Sequence, residues 1–348
     1  MLRTKLKLLM PMFALAITSL SLTACGSKSA NETAVQSNGS APIQGTLRFY
    51  TSQPDQDAAA LIEAFNKKNP SVKVELFRSG TEEVISKLLA EAGAKNVQAD
   101  VLLVADAPTF VGLKNKGLLL SYKSPEAEQI PGELQEPGGA YYGTKVMATA
   151  MVVNSKNVAN VPDSWNVLAD SANIGKSIMP SPMYSGAAAY NLGVFTRQAE
   201  FGWKYFEQLK ENRIAVEKGN GAVLKKVANG EKNYGMIVDF MVARAIKEGS
   251  PLKLVYPKEG VPVITEPIGI LKDSKNPEAA KAFVDFVLSE EGQKLAAKLG
   301  YVPIRKGVAA PEGLSGIDKL KILSVKPEEL ESTREADKKR FGEMMGGK

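Results

Sequence analysis

Residues 46–104 contain three strand-like stretches, which read TLRFY at Thr46–Tyr50, VKVELF at Val72–Phe77 and DVLLV at Asp100–Val104. Between the first two, apolar residues recur at helical spacing from Asp55 to Asn69. The stretch DVLLV is continuously apolar, which is typical of a strand that is buried on both faces of a parallel sheet. The alternation of strand and helix therefore predicts a doubly wound α/β fold.

A second series of strands and helices follows this first unit. Long extended stretches at Lys145–Asn154 and Val261–Leu271 flank it, and a charged tail carries a predicted surface helix at Pro327–Phe341. We expect the chain to leave one lobe, build a second and return. The predicted division is 46–150 for the first part of lobe 1, 151–262 for lobe 2, and 263–348 for the return part of lobe 1 with the C-terminal helices. A ligand cleft would then lie between the lobes.

Composition excludes several classes of function. The chain has 348 residues, no histidine and one cysteine, so a Ser-His-Asp triad, a His-ligated zinc site and an intramolecular disulfide are impossible. Without the three cations of residues 1–24 the net charge falls from +6 to +3. This charge is too small to indicate nucleic-acid binding, and no cofactor is expected.

The first 45 residues are typical of an exported, anchored protein. Arg3, Lys5 and Lys7 precede an apolar stretch that ends in Leu-Thr-Ala-Cys at residues 22–25. Small residues before Cys25 resemble a bacterial lipobox, which predicts a lipoprotein signal peptide at 1–24 and acylation of Cys25 with palmitate-type chains. Two acyl chains anchor a protein stably. Residues 25–45 are rich in Ser, Asn and Gly, which predicts a flexible tether.

Several motifs resemble those of bacterial extracellular solute-binding proteins of ABC importers, over about residues 46–305. They are the lipobox, Tyr50-Thr51-Ser52-Gln53, the run Asn69–Val74, Tyr141-Tyr142-Gly143, Ser164-Trp165, and the runs Ala279–Phe283 and Ser289–Gln293. The resemblance implies a two-lobed periplasmic-binding-protein fold of type II, with two crossover segments and a ligand cleft between the lobes. It also implies no catalysis, hinge closure, and delivery to a membrane permease with its ATPase. The receptor is expected to be a monomer on the outer face of the cell membrane.

The nearest subgroup by resemblance binds ferric iron, aminoethylphosphonate, hexose phosphates or thiamine. Its ferric binders carry consecutive tyrosines at the end of the strand that here is Tyr234–Val238, where this chain reads Val238-Asp239-Phe240. We therefore expect a small anionic organic solute of the phosphonate or sugar-phosphate type. Ferric iron is the alternative ligand.

Hydroxyl and glycine residues between strands and helices are candidate ligand contacts. A helix N-terminus with free backbone N–H groups is an anion site, although the same residues can simply cap the helix. Asp106 and Asp239 follow strands and either cap helices or bind ligand, and Tyr142 precedes the first extended segment. The full set of predicted contacts is Thr51, Ser52, Ser79, Gly80, Thr81, Asp106, Tyr142, Ser185, Gly186, Asn220 and Asp239.

The lipobox interpretation gives a direct prediction. Cys25→Ala removes the only thiol that can be acylated, so the variant should move from the membrane fraction to the soluble fraction of the cell. Immunoblotting of fractionated cells measures this. A variant that stays in the membrane fraction as the parent does would show that Cys25 is not the anchor.

Overall fold

The computed structural model describes residues 42–346, so the signal peptide, Cys25 and most of the predicted tether lie outside the described residues. The strands are Gly45–Thr51 (β1), Val72–Arg78 (β2), Val101–Leu103 (β3), Leu119–Leu120 (β4), Lys145–Asn154 (β5), Ser177–Pro180 (β6), Ala215–Glu217 (β7), Tyr234–Val238 (β8), Leu252–Val255 (β9), Val261–Ile264 (β10), Ile268–Leu271 (β11), Val302–Pro303 (β12) and Ile322–Leu323 (β13). The helices are Asp55–Lys68 (α1), Thr81–Gly93 (α2), Ala107–Asn115 (α3), Gly186–Thr196 (α4), Gly202–Glu211 (α5), Asn220–Ala228 (α6), Asp239–Lys247 (α7), Pro277–Leu288 (α8), Glu290–Lys298 (α9) and Pro327–Met345 (α10).

The first lobe is built on a five-stranded sheet in the order β2-β1-β3-β11-β4. Side chains alternate between the two faces, as strand geometry requires. Leu47 and Phe49 pack with α1 and α8, where the Phe283 ring lies 4.8 Å from that of Phe49. Tyr50 and Leu102 face the opposite side, in the core that includes Val84 of α2. Helices therefore cover both faces, which explains why β3 is continuously apolar.

The second lobe is built around β5. Its sheet has the order β13-β10-β5-β8-β6-β7, and β9 and β12 also pair with β5. All ten residues of β5 are buried, which accounts for the apolar stretch at 145–154. Trp165 is completely buried in this core, and its indole N–H donates to the carbonyl of Gly260 at 2.8 Å.

Two antiparallel segments of the chain connect the sheets. Tyr142 exchanges two backbone hydrogen bonds with Ile268, of 3.0 and 2.8 Å. Two residues further on, the N–H of Thr144 donates to the carbonyl of Thr265, and its hydroxyl donates to the carbonyl of Glu266 at 2.7 Å. The chain therefore crosses between the lobes here as a paired ribbon, which any rotation of one lobe on the other must bend. It crosses a third time between α8 of the first lobe and β13 of the second.

The last helix begins at Pro327 as predicted, but it is less exposed than a surface helix. Its side chains Leu330 and Phe341 are buried in the core of the second lobe. Within residues 42–346, none of the helices combines the length and the apolarity needed to cross a bilayer.

Candidate functional site

A cleft of about 590 Å³ lies between the lobes, which belong to one compact unit from Pro42 onward. Both lobes contribute to its lining, and the crossover ribbon contributes Glu266. The lining residues of the first lobe include Ser52, Asp55, Arg78, Gly80, Thr81 and Ala105. Those of the second include Met147, Tyr184, Ser185, Gly186, Lys218, Gly219, Asn220, Val238, Phe240, Met241 and Tyr301. This volume is within the range of small-molecule sites.

In the part of the chain that the structure describes, the N-cap residues of five helices line this cleft, and those of α2, α4 and α6 are the three that are serine or glycine. Helix α2 begins after Gly80, α4 after Ser185 and α6 after Gly219, and all three N-cap residues line the cleft. The first N–H groups of a helix have no acceptor within that helix, and the helix dipole adds partial positive charge. Because α2 belongs to the first lobe and α4 and α6 to the second, donors approach the cleft from both sides.

Polar side chains hold these N-termini in place. The Thr81 hydroxyl donates to Ser52 Oγ at 3.0 Å, so α2 is tied to the loop after β1. Asn220 Nδ2 donates to Ser185 Oγ at 3.5 Å, and its Oδ1 accepts from the N–H of Val238 at 3.3 Å. One amide thus links the starts of α4 and α6 to the end of β8. Six of the eleven predicted residues therefore line one cleft, namely Ser52, Gly80, Thr81, Ser185, Gly186 and Asn220.

Two cations at the cleft were missing from the predicted set. Arg78 ends β2 and donates from Nε to the carbonyl of Gln53 at 2.7 Å. Lys218 directly precedes the N-cap of α6, with Nζ 4.4 Å above the ring of Tyr184 and 3.1 Å from the Glu83 carboxylate. In the sequence, the useful signal was a basic residue next to a predicted helix start.

The lobes touch at two glycines. A Cβ atom at Gly186 would lie 2.7 Å from the carbonyl oxygen of Ala105 and 2.8 Å from Thr81 Cβ. A Cβ atom at Gly80 would lie 2.6 Å from the ring and the carbonyl oxygen of Tyr184. The backbone N–H of Glu82 also donates across this contact to the Tyr184 carbonyl, at 3.3 Å. Glycine at both positions lets the two helix starts approach closely.

The floor of the cleft is apolar around one buried ion pair. Lys145 Nζ lies 2.5 Å from Glu266 Oε2, and both side chains are almost completely buried. Lys145 also lies 4.6 Å above the Tyr301 ring, which packs on Phe240 at a centroid distance of 4.2 Å. Sequence reasoning missed this floor, because its members come from four distant segments.

Five predicted contacts serve the fold instead of lining the cleft. Thr51 is buried and its hydroxyl donates to the Leu103 carbonyl, whereas Tyr142 donates to the Tyr122 carbonyl. Asp106 caps α3 through the N–H of Thr109. Ser79 is bonded to the Glu83 carboxylate. In each case the side chain forms a hydrogen bond with another group of the protein. A sequence pattern does not distinguish such an internal hydrogen bond from a contact with ligand.

Asp239 is the fifth of these residues and has a clear structural role. Its Oδ1 accepts from the N–H groups of Ala148 and Phe240, and its Oδ2 accepts from the Tyr256 hydroxyl at 3.0 Å. The carboxyl thus links β5, α7 and the segment after β9. Burial raises the pKa of Asp239 to about 6, against the effect of these hydrogen bonds, which lower it.

Residues 60–318 match the family of bacterial extracellular solute-binding proteins, and the chain belongs to that family. Its fold is the two-lobed periplasmic-binding-protein fold of type II. The chain is a periplasmic solute-binding protein of an ABC importer, a class that binds small ligands and works with permease and ATPase subunits. Relatives such as the Fe(3+)-binding periplasmic protein of Serratia marcescens and AfuA are named as solute-binding proteins, which fits a role other than catalysis.

Similar proteins differ in the ligands that their names state. AfuA from Actinobacillus pleuropneumoniae, solved with fructose-6-phosphate, is 26% identical with a TM-score of 0.81, over 86% of this chain and 98% of AfuA. Iron-bound HitA from Pseudomonas aeruginosa is also 26% identical, with a TM-score of 0.76, over 86% of this chain and all of HitA. A Salmonella typhimurium periplasmic protein named for 2-aminoethylphosphonate binding is 25% identical, over 71% of this chain and 73% of its own length.

The close approach of the lobes at Gly186 predicts that a methyl group added there weakens ligand binding. Gly186→Ala should hinder closure, since the added Cβ meets Ala105 and Thr81, and affinity for a bound solute should fall by roughly 1–3 kcal/mol. Calorimetry with a solute that binds the parent measures this loss. Gly93→Ala is the control, because a Cβ there meets nothing within 4 Å. Equal affinity in the two variants would contradict the prediction.

The buried Asp239 predicts a pH-dependent stability difference. Its pKa is raised above the ordinary 3.8, so the folded state binds the proton more tightly and this contribution is lost as the pH rises from about 4 to 6. Asp239→Asn does not titrate. Relative to the parent, its free energy of unfolding should therefore rise by roughly 3 kcal/mol between pH 4 and 7. Urea denaturation across this range measures the difference, with the exposed Asp273→Asn as control. Parallel stability curves for parent and Asp239→Asn would refute it.

Proposed function

We propose that this receptor captures a small anionic organic solute, of the phosphonate or sugar-phosphate class, and delivers it to the membrane permease after hinge closure. The observation that carries the proposal is the convergence of three helix N-termini, α2, α4 and α6, with Arg78 and Lys218 at the same cleft. Backbone N–H groups and cations are the donors that phosphate and phosphonate oxygens accept. The proposed contacts are Ser52, Gly80, Thr81, Ser185, Gly186 and Asn220, with the two cations added.

The distribution of donors between the lobes couples binding to closure. Helix α2 and Arg78 belong to the first lobe, and α4, α6 and Lys218 belong to the second. A ligand that bonds to both sets gains its full interaction energy only when the lobes are together. Ligand binding therefore shifts the population toward the closed form by the difference between its affinities for the two forms.

Ferric iron is the alternative ligand, supported by the names of relatives such as the Fe(3+)-binding periplasmic protein of Serratia marcescens. The surroundings of the two tyrosines that line the cleft favour an anion over ferric iron as the ligand. The Tyr301 hydroxyl donates to the buried Asp57 at 2.5 Å, and the Tyr184 ring lies beneath Lys218. Burial and the neighbouring carboxylates raise the pKa of Tyr301, which opposes the phenolate form that ferric iron prefers.

The placement of the receptor in the cell is also a proposal. We infer that Cys25 is acylated and that residues 25–45 tether a monomeric receptor to the membrane, on the face that meets the solute. The predicted division of the chain at residues 150 and 262 stays a prediction. The crossover ribbon supports it, because residues 142–145 and 264–268 connect the two sheets.

The proposal predicts opposite effects at two neighbouring charges. Lys218→Gln removes a cation from the cleft and should weaken binding of an anion by about 1.5–3 kcal/mol, or roughly 10–150-fold. Glu83→Gln removes the carboxylate that competes for Lys218, so binding should be retained or tightened. Calorimetry with 2-aminoethylphosphonate and fructose-6-phosphate measures both effects.

Lys210→Gln is the matched control, because it removes the same charge from an exposed site on α5. A thermal-shift screen that includes thiamine and ferric citrate accompanies the titrations, since a bound ligand stabilises the folded state. Tight ferric binding with a tyrosinate charge-transfer band, and no binding of the two anions, would overturn the proposal in favour of iron.

A further inference from the structure

The C-terminal helix α10 lies beyond residues 60–318, over which the chain matches its family. One side of the helix belongs to the second lobe. Leu330 packs closely against Gly193 of α4, since a Cβ atom at Gly193 would lie only 2.7 Å from the Leu330 side chain. The Phe341 ring lies 6.0 Å from the Phe206 ring. Both side chains are buried in the second-lobe core. By its apolar contacts, α10 is joined to the second lobe. It also packs against α3 of the first lobe, where a Cβ atom at Gly112 would lie 3.1 Å from Glu331 Oε1.

The other side of α10 reaches the first lobe with two cations. Arg334 donates from Nη1 to Asp106 Oδ2 at 2.8 Å and from Nη2 to Glu82 Oε1 at 2.7 Å. Lys338 donates to the second oxygen of Glu82 at 2.6 Å and also contacts the exposed Glu335 at 2.7 Å. The Arg334 and Lys338 side chains are only 12% and 11% exposed. The four groups form a largely desolvated network between the lobes.

The two carboxylates of this network stand directly behind the cleft. Glu82 follows Thr81 in the first turn of α2, and Asp106 follows Ala105, which lines the cleft. Burial alone would raise the pKa of Glu82, but Arg334 and Lys338 lower it, so this carboxylate is ionised. Two negative charges at this position would repel an anion at the N-terminus of α2. The two cations of α10 balance them one for one.

We propose that Arg334 and Lys338 are positioning residues of the ligand site, which neutralise Glu82 and Asp106 behind the α2 N-terminus when the second lobe closes on the first. The sign of the ligand charge in this inference rests on the proposed function. In this proposal α10 lies outside the cleft but neutralises the negative charge behind one of its walls, so that an anion can bind there.

The test compares four variants of the full-length protein, titrated with 2-aminoethylphosphonate and fructose-6-phosphate at low and high salt. Lys338→Met leaves Glu82 with one cation fewer, and binding should weaken at least 10-fold, more strongly at low salt because the repulsion is less screened. Glu82→Gln/Lys338→Met removes both charges and should restore binding to within about 3-fold of the parent. Lys339→Met, on the exposed side of the same helix, is the matched control and should bind as the parent does.

Circular dichroism and urea denaturation confirm that each variant is folded before titration, and Arg334→Met is measured in the same way. If the double variant binds as weakly as Lys338→Met, the network acts only as a mechanical link and the inference is overturned. Parent-like binding by folded Lys338→Met overturns it as well. In both cases the parent still binds the anion, whereas a parent that binds neither anion removes the proposed function and this inference together.

Discussion

The paired crossover ribbon is the constraint on which the rest of the structure depends. Backbone hydrogen bonds between Tyr142 and Ile268, and between Thr144 and Thr265, hold two chain segments side by side where they pass between the sheets. A single connection would leave the relative orientation of the lobes free, whereas two bonded segments restrict it to bending about one line. The cleft, the meeting of the helix N-termini and the interlobe ion pairs all require that restricted orientation. The buried Lys145–Glu266 pair lies on the same ribbon, so the hinge and the floor of the cleft are one piece of structure.

The position of hydrogen-bond donors in the cleft follows mainly from the topology of the two sheets. Strands β1, β2 and β3 run parallel, so the segments that follow them lie at one edge of the sheet. In such sheets the crevice beyond the carboxyl ends of the strands is where ligands bind. The second lobe repeats the arrangement with β6, β7 and β8, and its helices α4 and α6 begin at the opposite wall. Small residues at these starts, above all Gly80 and Gly186, let the two walls meet without a steric barrier.

Much of this arrangement can be predicted from the sequence, because local burial and helix capping impose local patterns. Contacts between distant residues leave no such pattern and cannot be predicted. Alternating and continuous apolar runs predict β2 and β3 because burial imposes those patterns, and Ser185 and Gly186 stand out because few residues suit a helix start. The sequence correctly predicts Asp239 at the end of a strand, but its carboxyl accepts a hydrogen bond from the N–H of Ala148, a residue 91 positions away. The position of Lys218 next to a predicted helix start is only a weak signal, because most surface lysines bind nothing. The docking of α10 was also invisible, since Arg334 and Glu82 are 252 residues apart and their pairing depends on how both lobes fold.

Charge balance offers a physical account of how one scaffold serves relatives named for iron, for a phosphonate and for a sugar phosphate. The donor-rich helix N-termini follow from the fold of this chain, and they favour negative charge in its cleft. Charged side chains then raise or lower this preference for negative charge. Because the cleft has few charged side chains, each of them changes its affinity for an anion appreciably. Arg78 and Lys218 add to the preference here, while Asp55 and Glu83 oppose it at 3.9 and 3.1 Å. The proposed role of Arg334 and Lys338 extends this charge balance beyond the cleft, because both cations pair with the carboxylates Glu82 and Asp106 behind its wall. On that proposal, ligand selection is distributed between the cleft and the segments that pack against its outer side.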